Sequence, residues 1–450
     1  MKKCFRALLL TAALALMLCT GAMAADSTVH VQLNGRPLAL SEAPQIVSGR
    51  AFLPFHSVFT ALGFSDRDIS FQAEARQISA VNGQLTVSMV LGENRITVVQ
   101  DGERSVIETD AAAFIDPEQN RAYVPARFVA EAAGLRLGWD SRTSTVILDD
   151  VDAILAANQE KYTVLDQYLD FSRRFMTQNY QVDGSYSAAI QLTGSLDDGT
   201  DRMNMNGQYS MLMSGAAAFD FDASLSFSGN IDGQDLSALM PGGLDLSLRG
   251  SLEEGRFYFK SDSLMSSAGL GVENLWFRLE LAQIADRAGL GEGLSYAQLL
   301  ALSRRAADMN GAEYAEYLVR TMARTDSSRS AETILAQLND LLGDSAFTKS
   351  GSSYLSRRES ENGVIEITLP TSAGKVSGCT MTAAYTAEET ALSMTVSQTE
   401  KMMKAGLDIR SAEISANLEM DGNYTAAASA PAGAPPEGAA VLDLGQNPLY

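Results

Sequence analysis

Over residues 186–281 apolar and polar side chains alternate with a period of two, and no other pattern restricts the fold so much. Tyr186, Ala188, Ile190 and Leu192 share one face of the first run. Met203, Met205, Tyr209, Met211 and Met213 share that of the second, and Phe219, Phe221, Ala223, Leu225 and Phe227 that of the third. Leu244, Leu246, Leu248 and Leu252, then Leu275, Phe277, Leu279 and Leu281, repeat the pattern, with mostly Ser, Asp, Asn, Gln, Thr, Arg and Glu between. Successive residues of a strand point to opposite faces, so each run reads as a half-apolar strand. Short Gly- and Asp-containing turns join them into an antiparallel meander with one wet face. Runs at 354–358, 364–369, 375–385, 392–398 and 407–420 resume it, which predicts about ten strands in one sheet. Met203, Met205, Met211, Phe219, Phe221 and Phe277 are the candidate apolar ligand face, because Met adapts to irregular shapes and the rings supply area.

Helical patterns flank and interrupt this sheet. Ile154, Leu155, Leu165, Leu169, Phe171 and Phe175 fall near a 3.6-residue period and predict a bridging helix over 151–180. An insertion at about 296–343 begins with Leu299, Leu300, Leu302 and Ala306. It ends in a sharper stripe, Ile334, Leu335, Leu338, Leu341 and Leu342, with Ser330 as N-cap and Gly343 as the residue past its end. That stripe is expected to close the apolar face of the sheet, which covers 181–424 as a domain. The last stretch, 425–450, is rich in Ala, Pro and Gly and reads as a disordered tail.

The N-terminal part is built from a segment carried twice. Arg50-Ala51-Phe52-Leu53-Pro54 runs into a short helix closed by Gly63, and 71 residues later Arg121-Ala122-Tyr123-Val124-Pro125 runs into one closed by Gly134. Pro suits a helix start, where its missing N–H needs no partner, and Gly tolerates the left-handed conformation after a helix end. The second copy carries Arg127 and Glu131 one helical turn apart, then Trp139-Asp140 at the head of a hairpin. This sequence, Arg121, Pro125, Arg127, Glu131, Gly134, Trp139, Asp140 and Val146 together, resembles the copper amine oxidase N-terminal-like, or stalk, domain. The first copy departs from it: His56 replaces the helix Arg, Thr60 the Glu, and Phe71-Gln72 the Trp-Asp pair. The resemblance covers roughly residues 29–150 of a stalk domain set at 25–150. It implies a scaffold that stands apart from copper and quinone chemistry, with Arg127 and Glu131 fixing the helix against a buried Trp139 and Asp140. The sheet region is similar in architecture to LolA/LppX-like lipoprotein folds, curved sheets wrapped on helices. The fold class is α+β: a small repeat-built stalk domain plus a large antiparallel meander with inserted helices.

Residues 1–24 carry the marks of a signal peptide: Lys2, Lys3 and Arg6, then an apolar run from Leu8 to Leu18, then Ala22-Met23-Ala24. Cys4 and Cys19 belong to that leader, which leaves Cys379 without an intrachain disulfide partner. No later run of 18 apolar residues exists to span a membrane as a helix. A formal charge of −21 argues against nucleic acid and anionic lipid surfaces. The expected address is therefore secreted or cell-envelope associated, in a bacterium.

Chemistry is sparse. His30 and His56 are the two histidines, and each reads as a surface or capping residue. Ser372-Ala373-Gly374-Lys375 has the letters of a penicillin-binding motif, but it sits in a turn and its companion motifs stand in the wrong order. The acidic run at 197–201 lacks the alternating spacing of a calcium loop. A membrane barrel would need aromatic girdles, which the strands lack. No enzyme, cofactor or metal site is expected. The reading is an exported, non-enzymatic scaffold presenting a sheet domain to an envelope partner, a surface polymer or a hydrophobic ligand. The alternative is a carrier or sensor of a lipid or another hydrophobic ligand.

Overall fold

The computed structural model describes residues 28–83, 85–193, 200–215, 218–231, 233–239, 241–251, 254–267, 269, 272, 274–280, 308–387 and 389–444. The leader, Leu252, Leu281, residues 197–199 and the start of the insertion, with Leu299, Leu300, Leu302 and Ala306, lie outside the described residues. The described chain divides into two compact units, one within Thr20–Gln159 with Ala315–Leu338, the other within Glu160–Tyr314 with Asn339–Tyr450.

In the first unit the strands are β1 (His30–Leu33), β2 (Arg36–Pro37), β3 (Gln45–Val47), β4 (Arg50–Pro54), β5 (Ile69–Gln72), β6 (Gln77–Asn82) and β7 (Leu85–Val90). They continue with β8 (Arg95–Gln100), β9 (Glu103–Glu108), β10 (Phe114–Asp116), β11 (Arg121–Pro125), β12 (Arg136–Asp140) and β13 (Thr145–Asp149). The repeat shows in the pairing. β4 and β11 run antiparallel with Leu53 facing Val124, flanked by Phe52 facing Pro125 and Pro54 facing Tyr123. Leu53 and Val124 hold the same place in the two copies, so a local two-fold axis passes between them. Each proline ends its strand as the N-cap of the next helix, Phe55–Ala61 or Ala126–Ala133. Gly63 (φ 91°) and Gly134 (φ 66°) follow those helices in the left-handed region. The two helices bury Phe55, Val58, Phe59, Phe128 and Val129 in a common core with Leu53 and Val124. Beside this centre, β5 to β9 form a meander, and β12, β13, β1 and β2 a second small sheet in which β1 runs parallel to β13.

This unit extends to Gln159, past the expected boundary at 150, and takes in most of the inserted helices. The predicted bridging helix is two: Val151–Ala157 belongs to this unit, and Thr163–Thr177 to the other. Helices Gly311–Thr325 and Ala331–Leu342 are joined by a turn that docks on the edge of β12, where the Trp139 N–H donates to the Ser327 carbonyl at 2.8 Å. Ser330 caps the second of them, accepting from the Thr333 N–H at 3.0 Å. Ile334, Leu335 and Leu338 therefore lie in the stalk unit, and the expectation that this stripe closes the large sheet is corrected. Gly343 is not left-handed either, with φ −68°. It is Gly because a Cβ there would stand 2.5 Å from Glu160 Cγ.

Among the described residues, the second unit holds one sheet of sixteen strands. They are β14 (Asn179–Thr193), β15 (Thr200–Ser214), β16 (Ala218–Ile231), β17 (Gln234–Asp235), β18 (Leu244–Ser251), β19 (Arg256–Lys260), β20 (Leu275–Glu280) and β21 (Thr348–Ser350). After them come β22 (Ser353–Glu359), β23 (Gly363–Ser372), β24 (Lys375–Val376), β25 (Gly378–Ala387), β26 (Thr390–Thr399), β27 (Met402–Arg410), β28 (Ile414–Ala426) and β29 (Ala440–Asp443). The order across the sheet is β21-β22-β23-β25-β26-β27-β28-β14-β15-β16-β18-β19-β20-β29, with β17 and β24 on side branches. Pairing is antiparallel except for β20 with β29. The run 407–420 is two strands with a turn at 411–413, and β19 joins the meander between the predicted ones. The tail is not free: Ala440–Asp443 returns to the sheet as β29.

Glycine sets the shape of the sheet near its middle. A Cβ on Gly184 would lie 1.9 Å from Asp421 O, and one on Gly207 would lie 1.8 Å from Ser224 O. Backbones that close leave no room for a side chain, and the rings of Tyr209 and Tyr186 cover the bare positions. The helix Thr163–Thr177 packs on one end of the sheet, where Val164, Phe171 and Phe175 meet Leu369, Val376, Tyr180 and Tyr424. Its N-terminus is capped from far along the chain, since the Asp344 carboxylate accepts from the Val164 N–H at 2.8 Å and from Thr163 Oγ1 at 2.6 Å.

Candidate functional site

Residues directly opposite one another in an antiparallel pair point to the same side, so the register defines the faces of the sheet. Val182 faces Met211, which faces Phe221, then Leu248, Phe259 and Phe277. Three rows further along, Ala188 faces Met205, and Met205 faces Phe227; beyond that Ile190 faces Met203. All six candidate residues, Met203, Met205, Met211, Phe219, Phe221 and Phe277, are thus on one face. Sequence reasoning missed its continuation into the C-terminal strands. Ala188 also faces Leu418, and the row runs on through Leu407, Met394, Ala383 and Ile365. Alternation there was visible, but only the central pairing of β14 with β28 makes the two halves one surface.

Burial along this face is graded. Val182, Tyr209, Met211, Met213, Phe219 and Phe221 form a closed cluster. Phe259 and Phe277 stack with centroids 5.1 Å apart. Toward the other end of the strands, Ile190, Met203, Met205, Leu225 and Phe227 are half-buried. Leu192, Ile414 and Leu418 are 40%, 41% and 40% exposed. Among the described residues, the apolar face is buried at one end and exposed at the other.

Its polar groups are already engaged. Tyr209 donates to the Asp421 carbonyl at 2.9 Å, and Tyr186 to the Ser224 carbonyl at 2.7 Å. Burial, with the nearby Asp421 second, pushes the Tyr209 hydroxyl well above the usual tyrosine range, so it stays neutral. Among the described residues no group of three or more His, Cys, Asp or Glu side chains comes together to hold a metal. Such a face offers contact area and shape to an apolar molecule.

The motif residues of the stalk unit have structural partners. Arg50 pairs with Asp110 at 3.0 Å, and Arg121 with Glu42 at 2.8 Å. Each repeat arginine therefore holds an acid from the segment leading into the other copy. Ser57 also donates to Glu42, and that bond, then Arg121, holds the Glu42 carboxyl below the usual range against the opposing effect of burial. Asp140 shapes its own turn, accepting from the Arg142 N–H and Thr143 Oγ1 at 2.9 and 2.7 Å. Arg127 and Glu131 are exposed, and no ion pair between them is formed. Trp139, expected to be buried, is 36% exposed. It lies on the edge strand β12, which binds the helix turn through its backbone.

The group that does this anchoring is Arg136 with Asp149, which face each other across β12 and β13. Arg136 donates to the Asp149 carboxylate at 2.7 Å and to the carbonyls of Ala323 at 2.6 Å, Arg329 at 2.9 Å and Asp326. Asp149, fully buried, accepts from the Ala331 N–H at 2.8 Å, at the start of the second helix. Burial raises its pKa against the opposing pull of these donors, and its Oδ1 has no hydrogen-bond partner. No local spacing reveals this, because the partners are some 180 residues apart in sequence.

Residues 32–165 match the family described as the copper amine oxidase N-terminal domain. This part of the chain is similar to that domain, and the match covers less than half of the chain. No curated protein matches the chain. Among solved structures, one described as "Asymmetric conductivity of engineered proteins" is similar at 8% identity, over 55% of this chain and 100% of its own, with a TM-score of 0.14.

Proposed function

We propose that this is an exported, non-enzymatic protein of the cell envelope or extracellular space, in which the stalk unit is a scaffold and the sheet unit holds an elongated apolar ligand. The supporting observation is the graded face, closed by its own residues around Met211 and Phe221 and open around Met203, Met205 and Leu418. A contiguous apolar surface left wet on a soluble protein marks a binding site. The ligand class is a lipid acyl chain or a similar hydrocarbon, matched by Met, Leu, Ile and Phe side chains without a charged partner.

The test is titration with a fluorescent fatty acid, alongside native mass spectrometry of protein purified without detergent. Saturable binding at one site is expected, together with a copurified lipid. Met205→Glu should lower affinity at least about tenfold while the thermal melt stays near wild type, since its position is half-open. Ser226→Glu, on the opposite polar face, should change nothing. Absence of both bound lipid and saturable probe binding would remove the ligand and leave a scaffold that presents the sheet to a macromolecule.

A further inference from the structure

The two edges of the large sheet are finished differently. β21 is short, fully exposed and carries Lys349, a blunted edge of the usual kind. The other edge, β20, is covered by the chain's own C-terminal segment. Leu275, Trp276, Phe277 and Arg278 of β20 pair in parallel with Ala440, Val441, Leu442 and Asp443. The Arg278 guanidinium binds the Asp443 carboxylate, and the Leu444 N–H donates to the Arg278 carbonyl at 3.1 Å.

Between β28 and β29 the segment 427–439 has no helix or strand. It is held at its start, where the Ala427 N–H donates to the Asn179 carbonyl at 3.1 Å, and midway by the Asp220 carboxylate, which accepts the Ala432 and Gly433 N–H groups at 2.9 Å each, with Pro431 and Gly433 buried. Pro431, Pro435 and Pro436 limit its folding into anything compact. Among the described residues β29 pairs with β20 alone, so its departure breaks no other described strand pairing. Val441 and Leu442 are 46% and 41% exposed even when docked, so little apolar burial opposes departure.

We propose that the β20 edge is a strand-acceptor site for an apolar-apolar-acid segment, filled in cis by Val441-Leu442-Asp443 and filled by exchange with the same segment of a second copy. Every group that holds β29 in cis, Arg278 and Asp220 included, is present in the second copy by identity. Exchange therefore preserves each contact and requires only that two straps cross. Domain swapping through an extended hinge segment is a low-cost route of this kind. The inference concerns the sheet's edge and does not depend on the ligand reading of its face.

The experiment uses the full chain with Cys4, Cys19 and Cys379 replaced by alanine. Leu275→Cys and Ala440→Cys in one chain should close a disulfide within that chain. When two size-tagged copies carry one of these cysteines each, a mixed disulfide should form. Its yield should rise with concentration and exceed that of a Ser226→Cys plus Ala440→Cys control at least about tenfold. Asp220→Asn should raise the yield further by freeing the strap. A single-chain disulfide without the mixed one would show an edge permanently shut and overturn the proposal. Failure of the single-chain disulfide would overturn it as well, by removing the strand pairing on which it stands.

Discussion

Arg136 satisfies the carbonyls of Ala323, Asp326 and Arg329, at the end of one helix and in the turn after it. It also pairs with the β13 carboxylate of Asp149 that accepts from the first N–H of the next helix; no solvent-exposed arginine in the motif does comparable work. Arg136→Ala would leave Asp149 buried with its charge unpaired, a loss of about 3–5 kcal/mol. Arg127→Ala removes an exposed side chain and should cost under about 1 kcal/mol. Urea unfolding of the two variants should separate them clearly; equal midpoints would mean that the junction is not what secures the helices. Glu42 carries a pH prediction. Its folded pKa is depressed, so its contribution is present above the unfolded carboxylate value, about 4.3, and is lost as pH falls through the lower folded value. Melting temperatures between pH 7 and 3 should drop less steeply for Glu42→Gln than for wild type, from a lower start at pH 7. Asp149 has the opposite sign, because burial raises its pKa, and its share weakens as pH rises through that raised value.

At the scale of elements, strands and helices were legible where the cause was local. Alternation gave the faces of β14, β15, β16 and β18, and the repeat gave both stalk helices with their Pro starts and Gly ends. Partner choice was not legible. The stripe of Ile334, Leu335 and Leu338 says that this helix needs an apolar neighbour and leaves the neighbour unnamed. Arg136 and Asp149 make the choice, while Phe171 and Phe175 bring a different helix to the large sheet. The tail was misjudged because composition cannot register a four-residue edge strand or one carboxylate gripping two N–H groups. Glycines within strands carried a signal that alternation hides. Gly207→Ala would drive a methyl into the Ser224 carbonyl of the neighbouring strand, costing about 1–3 kcal/mol. Chemical denaturation should show the sheet unit losing that much, whereas an unchanged midpoint would mean that β15 and β16 can move apart.

For the molecule as a whole, the sequence made the α+β class and a single large sheet readable, and left unread which strands join its two halves. Each half is a meander of neighbours in sequence. The joint between them is β14 against β28, from Tyr180 beside Ala426 to Leu192 beside Ile414. That seam ties the first strand of the first half to the last long strand of the second. A ribosome delivers β14 long before β28, so the growing chain holds an unpaired central edge through the synthesis of more than two hundred residues. Closing so distant a pairing is slow, and an open edge in the meantime invites the wrong strand. The sheet thus cannot close until β28 has been made, and until then its central edge stands open and needs shielding from the wrong strand.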